Sequence, residues 1–355
     1  MNKNEQVEVK KGDYITQYAN YDYYKPSQDK IDLTKGLVEE IQPDIDTRLC
    51  MISAMRSGMI GRLVEKLVML NGGGGNGKGL IMNLYKMLLG GSYYYRGNMS
   101  TITEKIKGGA SPEVANMNKK RCVLFSEPND TEQLNLGNIK ALTGDSCINA
   151  RKCHSNVTVC ILLMTMFLEC NKKPTINGRI DQSAIRRFIN LFFPITYTSD
   201  PKLYGKSDLY KKSNPEYKTS EWQEEHKLAL FHYLLEFDYI DIYEPESIRK
   251  ATYDYLIDND EFSIFMDKYY EESEDSKDII TLKDIHALYR KNFMKQGSRA
   301  YRQMTRKKFV VMMQENLFWK KKYTLDFKER CILNGAEHRN VFSRLKRRED
   351  VADFE

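Results

Sequence analysis

The chain has 355 residues, 41% of them hydrophobic, which is enough apolar material for packed cores and excludes wholesale disorder. Lysine and arginine number 55 against 49 aspartates and glutamates. That near balance hides two opposed blocks, 236–278 with 15 acids and 4 bases and 299–348 with 15 bases and 4 acids. The second block is a plausible phosphate-backbone footprint, although a charge run alone also reads as a solvated face. The longest apolar run, 159–168, is about half of the ~20 residues that span a bilayer. The opening Met-Asn-Lys-Asn-Glu-Gln lacks an apolar signal segment, so an intracellular protein with no membrane partner is expected. The seven cysteines are odd in number and include no C-x-x-C pair, which reads as reduced thiols and argues against a zinc site.

In chain order, residues 1–62 are polar and helical in pattern, with helical spacing of apolar residues over 44–60. A short apolar run at 67–70 reads as a strand. Helical spacing resumes after Lys78 and is stopped by Gly90-Gly91. Further strands are expected at 122–125, over the long β-rich stretch 157–165, and at 188–193. Strands separated by helical or mixed segments predict a mainly parallel α/β sheet. The Pro- and Lys-rich stretch 194–215 reads as a domain exit, and helices follow over 221–270. Residues 273–278 read as a linker. Beyond it come helices at 282–293, with Thr281 as N-cap, and 307–316, then a lysine-rich strand or wing at 319–323.

Between the first strand and the following helix lie Gly72, Gly73, Gly74, Gly75, Asn76, Gly77, Lys78, Gly79 and Leu80. This fits G-x-x-x-x-G-K, the phosphate-cradling loop. Glycines let successive N–H groups turn toward phosphates, the helix start adds its partial positive charge, and the lysine reaches the β- and γ-phosphates. The usual Ser or Thr after the lysine, a Mg²⁺ ligand, is replaced by Gly79. Downstream, an apolar strand delivers Glu127 at its end, as suits a Walker B acid that organises the metal's water shell or polarises the attacking water. Asp130 could share that work.

In their order and spacing these pieces resemble the superfamily 3 helicase domain of poxvirus-type primase-helicases from large nucleo-cytoplasmic DNA viruses, with related domains in phage and plasmid primases. The matching segments are Gly75-Asn76-Gly77-Lys78, Ser126-Glu127, Ile139 through Asp145 with Ala150-Arg151, Asn171-Lys172-Lys173-Pro174, and Ile185-Arg186-Arg187-Phe188. The resemblance implies an AAA+-like P-loop NTPase core at 63–200 with a parallel sheet. An N-terminal helical collar at 1–62 and a helical acidic extension at 201–277 would flank it. A basic, mostly helical C-terminal domain at 278–355 would follow, compatible with a winged helix. It further implies ATP and Mg²⁺ as cofactors and a homo-oligomeric ring, usually a hexamer, around single-stranded or forked DNA. By the same resemblance Lys78 is the phosphate lysine, Glu127 the Walker B acid and metal-site residue, and Asn171 the polar sensor. Arg187 or Arg186 is then the finger reaching a neighbour's nucleotide. Lys140, Arg151, Lys152 and His154 belong to a DNA-contacting hairpin and its approach. If the source is viral, the expected location is the host-cell replication site, cytoplasm or virus factory.

Two departures stand out. Gly79 breaks the Ser/Thr rule, and no primase segment precedes the helicase part, so the primase is either a missing domain of a longer protein or another chain. The leading expectation is an ATP-driven DNA helicase that translocates through hydrolysis at subunit interfaces. A DNA-clamping ring or loader with weak hydrolysis is the alternative motivated by Gly79. A P-loop kinase or small-molecule NTPase is the third, and it leaves the paired arginines and the hairpin without a role.

Overall fold

The computed structural model describes residues 8–348 except 9, 11, 14, 106–110, 130, 152–157, 179, 205, 239–240, 295–302, 317–325 and 334. Asp130 and the 319–323 stretch therefore lie outside the described residues. The chain forms two compact units, 1–178 with 186–253, and 179–185 with 254–355.

The first unit opens with α1 (Gln28–Ile41) and α2 (Ile45–Ile60). Asp44 caps α2 by accepting from the Thr47 N–H at 2.8 Å. Residues 50–58 of α2 are all buried, so this helix is enclosed by the core rather than laid on it. Next come β1 (Leu67–Asn71), α3 (Lys78–Tyr93), β2 (Tyr94–Arg96), α4 (Ser100–Thr103), α5 (Pro112–Ala115) and β3 (Cys122–Ser126). Helix α3 is broken at Gly90, near the expected stop. Then follow β4 (Gln133–Asn135), α6 (Leu136–Gly144), β5 (Cys147–Ala150), β6 (Thr158–Ile161), β7 (Thr165–Cys170), β8 (Thr175–Asn177), α7 (Gln182–Ile185, in the second unit) and β9 (Phe188–Phe192). The stretch read as a domain exit carries two short paired strands of the first unit, β10 (Thr196–Thr198) and β11 (Tyr210–Lys212). Helix α8 (Ser220–Leu235) and the first two turns of α9 (Glu246–Ile257) complete this part.

The central sheet has the order β2-β3-β7-β1-β9, every pair parallel. All five residues of β1 are buried, as expected of a strand covered on both faces. The stretch 157–165 is not one strand. It splits into β6, which pairs antiparallel with β5 as a hairpin, and β7, which enters the sheet. Strand β7 inserts between β3 and β1, so the ends of these three strands lie side by side. Helices α1, α2, α3 and α8 share one core with the sheet, where Tyr85 meets Phe167 edge-on at 6.2 Å and donates to the Met55 carbonyl at 2.6 Å.

The second unit contains α10 (Glu261–Tyr269), β12 (Tyr270–Glu272), β13 (Ile279–Thr281), α11 (Leu282–Phe293), α12 (Arg306–Glu315), β14 (Asp326–Leu333), β15 (Ala336–Ser343) and β16 (Leu345–Arg347). Thr281 caps α11, as expected, by accepting from the Asp284 N–H at 3.2 Å. Strands β13, β15 and β14 form an antiparallel sheet with the long hairpin β14–β15. This hairpin, spanning 326–343, follows the helices α11 and α12. The core is aromatic: Phe309 of α12 packs within 5.3 Å of Tyr289 and 5.7 Å of Phe262, ring centre to ring centre. His286 Nε2 donates to the Met304 carbonyl at 2.9 Å. Buried Asp260 accepts from the Ser263 N–H and from Asn316 Nδ2, at 2.8 and 2.7 Å. Among the described residues no helix is long and apolar enough to cross a membrane, and the described cysteines are all free.

Phe309 is fully buried at the centre of this aromatic cluster. Phe309→Ala should destabilise the second unit by about 3–5 kcal/mol. Urea unfolding followed by tyrosine fluorescence measures this, and a loss below 1 kcal/mol would show that the ring is not a core element.

Candidate functional site

In parallel α/β sheets ligands collect at the carboxyl ends of the strands, where the chain crosses from one side to the other. At that edge β1 runs into the glycine turn and α3 begins at Lys78. Gly72, Gly75 and Gly77 have φ of 149°, 71° and 83°, in the region that favours glycine. A Cβ on Gly77 would lie 2.7 Å from the Ile41 side chain, and one on Gly72 would lie 2.4 Å from the Phe193 carbonyl oxygen. Gly73 and Gly74 face open space. The turn is tied down by the Tyr197 N–H, which donates to the Gly75 carbonyl at 2.7 Å.

Lys78 is only 5% exposed, and its Nζ donates to the Gly72 carbonyl at 2.5 Å. Burial pulls its pKa below the ordinary lysine value, against the opposing pull of Cys170, Glu169 and Glu127. The expected acid and sensor are brought together: Glu127, just past β3, accepts from the Asn171 N–H at 2.9 Å and from its Nδ2 at 2.5 Å, and Asn171 follows β7. Two N–H donors on one carboxylate fix its direction.

Glu169 was not anticipated. It lies one step before Cys170 in β7, in register with Leu70 of β1 and Ser126 of β3. Burial raises its carboxyl pKa, while Lys78 and Arg96 pull it back down. A charged residue closing an apolar run, two positions before Asn171, was the available signal.

The paired arginines separate by burial. Arg187 is 6% exposed, donates to the Thr143 carbonyl and pairs with Glu65 at 3.1 Å. It is a tie within this chain and does not have a free guanidinium. Arg186 is exposed, and its main-chain carbonyl accepts from Lys66 Nζ at 3.0 Å. Lys140 is half-buried on α6, and Arg151 is exposed at the end of β5, where the hairpin tip begins. Lys152 and His154 lie outside the described residues.

A cavity of about 440 Å³ adjoins the turn, between Gly75–Gly79 and the side chains of Leu37, Ile41, Leu80, Tyr197 and Tyr217. Asn83, Asn214 and Gln223 add polar groups to this largely apolar wall. Tyr197 is held by its hydroxyl donating to Glu40 at 2.7 Å, and Tyr217 packs on Trp222 at 4.7 Å. Such a slot suits a planar heterocycle with hydrogen-bonding edges. Among the described residues no group of three or more His, Cys, Asp or Glu side chains could hold a metal by itself. A divalent cation here would need further oxygens from an anionic ligand, as Mg²⁺ commonly takes from phosphates.

Gly77→Ala should destabilise the protein by about 1–3 kcal/mol, because a left-handed residue gains a Cβ against Ile41. Gly73→Ala, with nothing within 4 Å of the new carbon, should cost less than half as much. Urea midpoints compare the two, and equal losses would contradict the turn geometry.

No family profile matches the chain. A protein of Acanthamoeba polyphaga mimivirus named as a helicase is 28% identical over 291 residues, which is 77% of this chain and 30% of that protein. A protein of African swine fever virus named as a primase is 26% identical over 57% of this chain and 21% of its own length. The primase of fowlpox virus is 26% identical over 50% of this chain and 24% of its own. The chain thus spans between a fifth and a third of these relatives' lengths. Among solved structures, the apo C-terminal region of NrS-1 aligns over 90% of this chain and 79% of that one, with TM-score 0.48 and 14% identity. These sequence matches place the chain among relatives that are helicases and primases of large DNA viruses.

Proposed function

We propose that the chain is the ATP-driven helicase part of a viral replication protein and works as a ring on DNA at the replication site within the host cell. The observation that carries this reading is the convergence of Lys78, Glu127 and Asn171 at one sheet edge, beside a cavity of base-binding character. The triphosphate lies in the glycine turn, where N–H groups, the start of α3 and the Lys78 ammonium meet its charge. The adenine enters the slot walled by Tyr197 and Tyr217. Mg²⁺ held through the phosphates would supply charge neutralisation there. Glu127, held at both oxygens by Asn171, keeps lone pairs to orient the attacking water. Arg186, exposed and unencumbered by the ties that hold Arg187, is the finger that reaches a neighbour's nucleotide, probing it across the subunit boundary.

The β5–β6 hairpin, with Arg151 at its tip, would grip phosphates without reading sequence. In the second unit, α12 opens with exposed Arg306, Lys307 and Lys308 and no acid in its first turn. Three cations at the positive end of a helix are locally unfavourable, which is understandable if a phosphate backbone neutralises them. Gly79 favours a second reading, a DNA-clamping ring with slow turnover. A primase, as a further domain or a separate chain, would complete the replication protein.

Hydrolysis of ATP, measured with and without single-stranded DNA, decides between these readings. The motor predicts DNA-stimulated turnover that Lys78→Ala abolishes. Arg186→Ala should bind nucleotide yet lose turnover by about 10³-fold, the scale of an arginine finger. ATP binding with negligible turnover that Gly79→Ser raises would support the clamp, and hydrolysis indifferent to DNA would contradict both.

A further inference from the structure

The missing hydroxyl at Gly79 leaves a question that the structure answers from another strand. An ideal Cβ on Gly79 would have Glu169 Oε1 as its nearest neighbour, 3.9 Å away. A serine hydroxyl at position 79 would thus fall between the helix start and this carboxylate. Among the described residues Glu169 Oε1 is shut off from solvent and makes no hydrogen bond. A buried carboxylate oxygen without a donor is costly, and an uncommitted one beside a phosphate-binding lysine has the chemistry to accept from a metal's water shell. Mg²⁺ dehydrates reluctantly and keeps several waters, so a carboxylate can hold it without direct ligation.

We propose that Glu169 is a positioning residue for the cation of the bound Mg²⁺–nucleotide, ordering its waters from the place where the usual P-loop hydroxyl would act. The cation is carried in by the phosphates, Glu127 and Asn171 serve the hydrolytic water, and Glu169 takes the role that Gly79 vacates. This rests on the nucleotide reading above. The competing role is purely local: Glu169 as a counter-charge to Lys78, with no bearing on the metal.

The experiment is equilibrium binding of a fluorescent ADP, once with Mg²⁺ and once with a chelator, and the quantity read is the ratio of the two affinities. Glu169→Gln is close to isosteric and should lower that ratio by roughly 10-fold or more, the usual cost of losing a group that orients a metal shell. Adding Gly79→Ser to Glu169→Gln should restore the ratio. On the wild-type background Gly79→Ser alone should change it less than threefold, because the place is already served. An unchanged ratio in Glu169→Gln, with affinity altered equally in both conditions, would mean a counter-charge and overturn the proposal. So would a large gain from Gly79→Ser alone, a result that does not depend on the Glu169 variant folding. If the wild type binds no nucleotide in either condition, the nucleotide reading itself fails and takes this inference with it.

Discussion

An ammonium group removed from water needs compensation, and at Lys78 the ends of three strands supply it. The Gly72 carbonyl after β1 accepts from Nζ, while Glu169 at the end of β7 and Glu127 past β3 lie close enough to draw its charge. The other features of the site are arranged around this buried cation. The glycine turn leaves room beside it, because Gly73 and Gly74 face open space while Gly72 and Gly77 are pressed against Phe193 and Ile41. The Glu127–Asn171 pair fixes a carboxylate at the same edge without spending the lysine on it.

The topology makes this possible. Because β7 inserts between β1 and β3, residues far apart in the chain arrive side by side at one edge. Strand β7 then contributes twice, Glu169 within the strand and Asn171 just beyond it. The slot beside the turn draws on α1, α3, β10, the segment before α8 and the start of α8, so α1 and the 194–223 region are parts of the site rather than appendages to it.

What could be read from the sequence was local. The glycine turn is a contiguous pattern whose flanking strand and helix are visible in a short window, and Glu127 and Asn171 each end an apolar run. The break between β6 and β7 was not readable, because residues on both sides of it have strand-forming character and only their partners differ: β5 for one, β1 and β3 for the other. Arg186 and Arg187 are neighbours with identical chemistry, and only Glu65 and the Thr143 carbonyl, distant in sequence, assign one of them to the interior. Glu169 depends on strand order in the same way. The β14–β15 hairpin is a different case. Leu333 pairs with Ala336 across Asn334-Gly335, and an Asn-Gly pair between strand-like runs is a strong hairpin signal.

The central claim is that one nucleoside triphosphate is held by the turn around Lys78. Calorimetric titration of ATP into the wild-type chain and into Lys78→Ala tests this most directly. The account predicts one triphosphate bound per wild-type chain and no detectable heat from the variant. Equal binding by both proteins, or none by the wild type, would contradict it.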